Sequence, residues 1–191
     1  PAKRFIYCSS SEVYGDAMEV PLREDSPCDP KTIYGASKLA GEHYASAFHR
    51  SGWLDTIIVR PHNTFGPRAH YHNHHGEVIP RFILLALAGR ALSVFGDGQQ
   101  TRDFTYVCDT VEYITRLALH RDTPGGTYNV CRGAEVSILE LAEHIIQITG
   151  LNAVLRYKPA RPNDISRLWG DPGRLSAVLS NSPQTNIKDG L

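Results

Sequence analysis

The chain has 191 residues, 41% hydrophobic and 21% charged, which is enough apolar content to build a core for one domain or one and a half. Lys plus Arg balance Asp plus Glu at 20 each and no basic run stands out, so neither overall charge nor a local patch draws the chain to nucleic acid. The longest apolar stretch, around 82–88, is too short to span a bilayer and residues 1–7 lack the build of a signal peptide, so no membrane partner and a cytoplasmic location are expected.

Residues 4–9 form a short apolar run that ends in serines, the pattern of a buried parallel strand arriving at a loop. Beyond the turn residues Pro27, Asp29 and Pro30, apolar side chains at Tyr34, Leu39, Ala40, Tyr44, Ala47 and Phe48 recur at helical spacing until Ser51 and Gly52. One long helix is predicted there. The β-branched run 56–59, ended by Arg60-Pro61, predicts a second strand, so strand, helix and strand alternate as in a doubly wound α/β sheet.

Residues 62–76 are polar and rich in histidine, and are predicted to be a ligand loop without regular structure. Further on, the pattern predicts a helix over 78–87 closed by Gly89, a strand over 92–95, and a helix over 110–119 capped by Asp109. A strand over 127–130 follows the Gly125-Gly126 turn. Ser137 then caps a helix running to about 148, with Glu140 completing a capping box and Gly150 ending it. Pro159, Pro162, Pro172 and Pro183 break up the tail, which is expected to wrap a small second domain rather than extend the sheet. Cys8, Cys28, Cys108 and Cys131 are dispersed without a CxxC pair, which argues against a zinc site or disulfide framework and predicts reduced thiols.

The strongest chemical signal is Tyr34-Gly35-Ala36-Ser37-Lys38, a Y-x-x-x-K at the start of the long helix. Spacing by four puts both side chains on one helix face. A tyrosine takes a proton near neutral pH only if a neighbouring cation stabilises its phenolate, and a lysine in that position supplies one. Upstream, the first strand ends in Ser9-Ser10-Ser11-Glu12-Val13-Tyr14-Gly15, placing hydroxyls and a carboxylate at the carboxyl edge of a parallel strand, where ligands bind in such sheets.

Together these segments resemble the catalytic elements of the extended short-chain dehydrogenase/reductase family, in particular its NAD-dependent nucleotide-sugar epimerases and dehydratases. The resemblance continues through Arg60-Pro61-His62-Asn63-Thr64-Phe65-Gly66-Pro67-Arg68, Gly96-Asp97-Gly98-Gln99-Gln100-Thr101-Arg102-Asp103-Phe104 and Arg161-Pro162-Asn163-Asp164, and so covers nearly the whole chain. It implies an α/β fold: a partial Rossmann-like doubly wound parallel sheet with a smaller C-terminal substrate-binding domain. Residues 1–76 would be the C-terminal part of the NAD-binding domain and 77–191 mainly the nucleotide-sugar-binding domain, with some segments returning to the first.

The resemblance also implies roles. Ser10 would hydrogen-bond the sugar C4 oxygen, Tyr34 would take the C4 hydroxyl proton, and Lys38 would hold the nicotinamide ribose. The backbone at Pro61 and His62 would meet the nicotinamide, while Asn63, Arg102, Arg161 and Asp164 would hold the nucleotide sugar. Ser11 and Glu12 complete a Ser10-Ser11-Glu12 triplet at the position where dehydratases of the family carry Thr-Asp-Glu or Thr-Ser-Glu. Glu12 therefore points to a 4,6-dehydratase, whereas the run of serines also resembles 4-epimerases; a nucleotide-sugar decarboxylase is a more distant reading.

The family's Gly-rich NAD fingerprint is absent from this sequence: Gly96-Asp97-Gly98 matches only G-x-G and is not followed by a helical pattern. A C-terminal portion of a longer enzyme, inactive alone, is therefore expected, with a non-catalytic nucleotide-sugar-binding module as the alternative from another class. The resemblance further implies a homodimer using the Tyr34 helix. The run His70-Tyr71-His72-Asn73-His74-His75 raises a metal site, but no carboxylate or cysteine stands at suitable spacing, and a loop over the substrate is expected instead.

Overall fold

A computed structural model describes residues 4–16, 19–72, 76–161 and 165–191. The chain runs β1 (Arg4–Cys8), a 3₁₀ turn (Ser11–Tyr14), α1 (Ile33–Arg50), β2 (Asp55–Pro61), β3 (Thr64–Phe65), α2 (Val78–Leu87), β4 (Leu92–Phe95), β5 (Thr101–Arg102) and β6 (Thr105–Tyr106). It continues with α3 (Val107–Leu119), β7 (Thr127–Val130), β8 (Val136–Ser137), α4 (Ile138–Thr149), β9 (Leu155–Lys158), β10 (Arg167–Leu168), α5 (Gly173–Leu179) and α6 (Ile187–Gly190).

β1, β2 and β7 form a parallel sheet in that order, with Ile6 opposite Ile57 and Val59 opposite Tyr128. Five consecutive residues of β2 are buried, as a strand covered on both faces requires. Its alternate side chains go to different helices. Thr56 and Arg60 face α1, where the Thr56 hydroxyl donates to the Ala45 carbonyl at 2.9 Å. Ile57 and Val59 face the other way, into a core shared with Tyr113 and Leu117 of α3 and Leu175 and Leu179 of α5. The doubly wound arrangement predicted from strand–helix alternation is therefore present, with α3, β7 and α5 returning from later in the chain.

A second core packs α2 against α4 beneath β4, around Phe82, Ala86, Leu92, Leu141 and Ile145. Burying each large side chain of this set contributes roughly 1.5–3 kcal/mol. The Ser137 hydroxyl caps α4 by accepting from the Glu140 N–H at 3.0 Å, and Gly150 closes it in the left-handed region at φ 64°.

Four expectations change. β1 is parallel as expected but not buried: none of its five residues is, and Phe5 is exposed. Asp109 does not cap α3, which begins at Val107 without a side-chain cap; its carboxylate accepts instead from the backbone of Gln184 and Thr185 and from the Thr185 hydroxyl. The loop 62–76 is not wholly irregular, because β3 pairs with β6 in parallel. The tail is more than a wrap: β9 pairs with β4, β10 pairs with β5, and α5 packs on β7. Pro162 lies outside the described residues, and the other three prolines fall outside the tail's strands and helices, which leaves those elements intact.

Candidate active site

A cleft of about 700 Å³ opens at the carboxyl ends of β1 and β2. It is lined by Ser10, Ser11, Glu12, Tyr34, Lys38, Pro61, Asn63 and Arg102, so the fold brings together most of the site read from sequence. Each arrives for a local reason. The turn after β1 winds into a 3₁₀ helix with Ser10 as its N-cap, the hydroxyl accepting from the Glu12 N–H at 3.2 Å. This exposes the Glu12 carboxylate, which accepts from the Thr32 hydroxyl at 2.7 Å.

Thr32 starts α1 by capping Gly35 N–H at 2.9 Å, and Tyr34 and Lys38 follow on its first turns. Gly35 is needed there, since a Cβ at that position would come within 2.7 Å of the Glu12 carbonyl oxygen. The Lys38 ammonium donates to the Cys8 carbonyl at 2.9 Å and lies 5.5 Å from the centre of the Tyr34 ring and 5.7 Å from that of Tyr7. A cation is thereby fixed beside a tyrosine that remains half exposed to the cleft.

A smaller cavity of about 190 Å³ adjoins, sharing Asn63, Val78, Arg102 and Phe104 with the main cleft. Arg81, Arg102 and Arg161 line it together with apolar Phe82, Leu85 and Phe95, a combination suited to an anion attached to a flat ring. The Arg161 guanidinium lies 4.0 Å over the Phe95 ring. Arg102 is braced by donating from Nη1 to the carbonyls of Thr101 at 2.7 Å and Ile165 at 2.8 Å. The Asn63 Nδ2 is buried and has no hydrogen-bond partner among the described residues, leaving a donor for a ligand. Asp164 lies outside the described residues.

The side chain of His62 lines neither cavity. Its side chain is fully buried, and the ring packs so closely on Gly170 that a Cβ there would come within 2.7 Å. Pro61 and Asn63 line the cleft, and the imidazole between them does not. Burial pushes that imidazole down to about 4, so it is neutral at pH 7. Any cofactor contact at this position falls to the backbone.

Several supporting groups escaped the sequence reading. Arg60 forks onto Glu42 of α1 at 2.8 and 2.6 Å, with both side chains 6% exposed, and stacks 4.7 Å over the Tyr14 ring. The Tyr14 hydroxyl donates to Asn129 Oδ1 at 2.7 Å. Asp103 is fully buried and accepts from the backbone N–H groups of Arg132, Gly133 and Gly170 at 3.1, 2.9 and 3.3 Å. Burial pushes its carboxyl up to about 6 against the pull of those donors. Alternation of β2 could have flagged Arg60 as inward; the partners of Asp103 lie too far along the chain for any local pattern.

Tyr34, Lys38 and Pro61 line the main cleft together, a hydroxyl, a cation and a backbone edge of the kinds that could hold the nicotinamide end of NAD. Among the described residues no group of three or more His, Cys, Asp or Glu converges on a metal position; His70 and His72 have ring centres 5.9 Å apart, and His74 and His75 lie outside those residues. The four cysteines are free. No helix among the described residues is long and apolar enough to cross a membrane.

Comparison with known proteins finds relatives over nearly the whole chain. A UDP-glucose 4-epimerase from Mycolicibacterium smegmatis is 35% identical over 99% of this chain and 60% of its own length. A dTDP-glucose 4,6-dehydratase from Streptomyces niveus is 33% identical over 98% of this chain and 55% of its own. Among solved structures, a UDP-N-acetylglucosamine 4-epimerase from Methanobrevibacter ruminantium M1 in complex with UDP-N-acetylmuramic acid superposes with a TM-score of 0.91 at 33% identity, covering 98% of this chain and 61% of that one. The chain spans about half the length of the curated relatives it matches. Residues 1–131, which carry the Ser10 turn, the Tyr34 helix and the Asn63 and Arg102 segments, match the NAD dependent epimerase/dehydratase family, and the chain belongs to that family.

Proposed function

We propose that this chain forms the catalytic and sugar-binding side of an NAD-dependent nucleotide-sugar 4,6-dehydratase. The observation that carries the reading is the Glu12 carboxylate, held at the same cleft as Ser10, Tyr34 and Lys38. Arg102 and Arg161 are suited to the diphosphate, their forks matching paired phosphate oxygens, and Asn63 offers its unpartnered amide. With the sugar so anchored, the Ser10 hydroxyl meets the C4 oxygen and Tyr34 accepts the C4 hydroxyl proton, the Lys38 cation stabilising the phenolate.

NAD, when bound, would take up hydride from C4 and return it at C6, with C5 regaining a proton from water. A ketone at C4 acidifies the C5 proton, which Glu12 removes. The protonated Glu12 is then the donor for the hydroxyl leaving C6, a role left to it because the triplet contains no aspartate. The partner is a nucleotide sugar. A second copy of the chain is proposed to dock on the outer face of α1, where Ile33, Tyr44 and neighbouring Trp53 are exposed.

Glu12→Gln tests the assignment, because it keeps size and hydrogen bonding and removes basicity. In full-length protein supplied with NAD, oxidation at C4 is expected to survive while elimination slows by about 10²–10⁴-fold. Absorbance of the reduced cofactor would then build up without a 6-deoxy product. A second reading, nucleotide-sugar 4-epimerase, is favoured by the epimerases among the relatives and needs only Ser10, Tyr34 and Lys38. Normal turnover in Glu12→Gln, with no deuterium entering C5 of the wild-type product from heavy water, would select it.

A further inference from the structure

Thr32 has no part in the roles assigned above, yet its hydroxyl makes two bonds that meet at one atom. Oγ1 accepts from the Gly35 N–H at 2.9 Å, capping α1, and its own hydrogen goes to Glu12 Oε2 at 2.7 Å. A hydroxyl has one proton and two lone pairs, so the two bonds coexist, and the direction of the second is fixed because a carboxylate only accepts. An ordinary cap needs no such second bond. Ser137 at the start of α4 makes its cap bond to Glu140 and no other side-chain hydrogen bond among the described residues.

The backbone closes the same junction. A Cβ at Gly35 would stand 2.7 Å from the Glu12 carbonyl oxygen and 2.9 Å from the Pro30 Cβ, so the first turn of α1 and the turn bearing Glu12 are in direct contact. Gly15, at the end of that turn, bridges to Asp29, three residues before Thr32. Glu12 and Tyr34 reach the cleft on different segments, and Thr32 links them, lying two residues before one and hydrogen-bonded to the other.

We propose that Thr32 is a positioning residue for Glu12: its hydroxyl aims the carboxylate and ties it to the helix end that carries Tyr34, so that proton removal at C4 and at C5 occur from one rigid unit. This rests on the reading of Glu12 as the C5 base.

Three variants of the full-length protein separate capping from positioning. Thr32→Ser keeps both bonds. Thr32→Asp keeps a strong cap acceptor but replaces the donor with a second carboxylate facing Glu12, and Thr32→Val removes both. With NAD and the nucleotide sugar that the protein turns over, Thr32→Ser is expected within about threefold of wild type in every step. Thr32→Asp is expected to keep the wild-type melting temperature and C4 oxidation rate while deuterium exchange at C5 falls about tenfold or more. Thr32→Val should show the same loss together with a lower melting temperature. In a Glu12→Gln background, Thr32→Asp should cost C5 exchange nothing further, because the two residues act as a unit. Wild-type C5 exchange in Thr32→Asp, or equal losses at C4 and C5, would overturn the proposal while leaving an impaired Glu12→Gln intact. Unimpaired Glu12→Gln would instead remove the underlying reading and the proposal with it.

Discussion

Tyr34 and Lys38 face each other because they stand four positions apart on the helix, and the ammonium is pinned by the Cys8 carbonyl rather than left to swing in solvent. Tyr34→Phe removes the proposed proton acceptor and almost no contact surface. Turnover in the full-length enzyme is expected to vanish while nucleotide-sugar affinity, measured by calorimetry, stays within a few-fold. Wild-type-like turnover would refute the role. Asp103 tests the electrostatics away from the cleft. Burial raises its folded-state value to about 6 from an ordinary 3.8, so the group favours the fold most at low pH and that contribution is lost as pH rises through about 6. The stability difference between wild type and Asp103→Asn should therefore change by roughly 2–3 kcal/mol in favour of the variant between about pH 4 and about pH 7. A flat difference across denaturant melts in that range would contradict the raised value. Tyr34 and Lys38 were legible in sequence because their relation is local. Asp103 was not, since its three donors lie 29 to 67 positions away.

At the scale of elements, the Arg60–Glu42 pair fixes the register of α1 against β2. Glu42 lies on the same helix as Lys38, one turn on, and Arg60 precedes the cleft residues Pro61 and Asn63, so the pair holds both walls of the site at a set distance. Removing one partner strands a buried charge. Glu42→Gln is expected to destabilise the protein by about 3–5 kcal/mol in chemical denaturation, and a loss below 1 kcal/mol would show that the pair does not secure the register. Element boundaries were readable where a cap or a period announced them: α2, β4 and β7 lie where predicted, and Ser137 and Gly150 bound α4 as expected. Asp109 misled because its carboxylate is taken by Gln184 and Thr185, more than 70 residues away. β3 and β6 are two-residue strands, too short for any alternation to register.

Over the whole molecule, the cleft exists because two packing units meet beside it: the parallel sheet with α1 supplies Ser10, Glu12, Tyr34 and Lys38, and the segments after β3 supply Arg102 to it and Arg161 to the adjoining cavity. The alternation of strands and helices was visible in sequence, and so was the grouping of Ser10, Glu12, Tyr34 and Lys38 at the sheet's edge. The return of α3, β7 and α5 to the first sheet was visible only as a family resemblance, because no local pattern says which core a distant amphipathic helix joins. We propose that this arrangement performs C4 oxidation and C5 deprotonation on a nucleotide sugar. Its most direct test is to incubate full-length protein with NAD and a panel of UDP- and dTDP-hexoses and identify products by mass and NMR. A 4-keto-6-deoxy nucleotide sugar carrying deuterium at C5 when formed in heavy water is expected, and a 4-epimer as the sole product, or no change in any sugar, would contradict it.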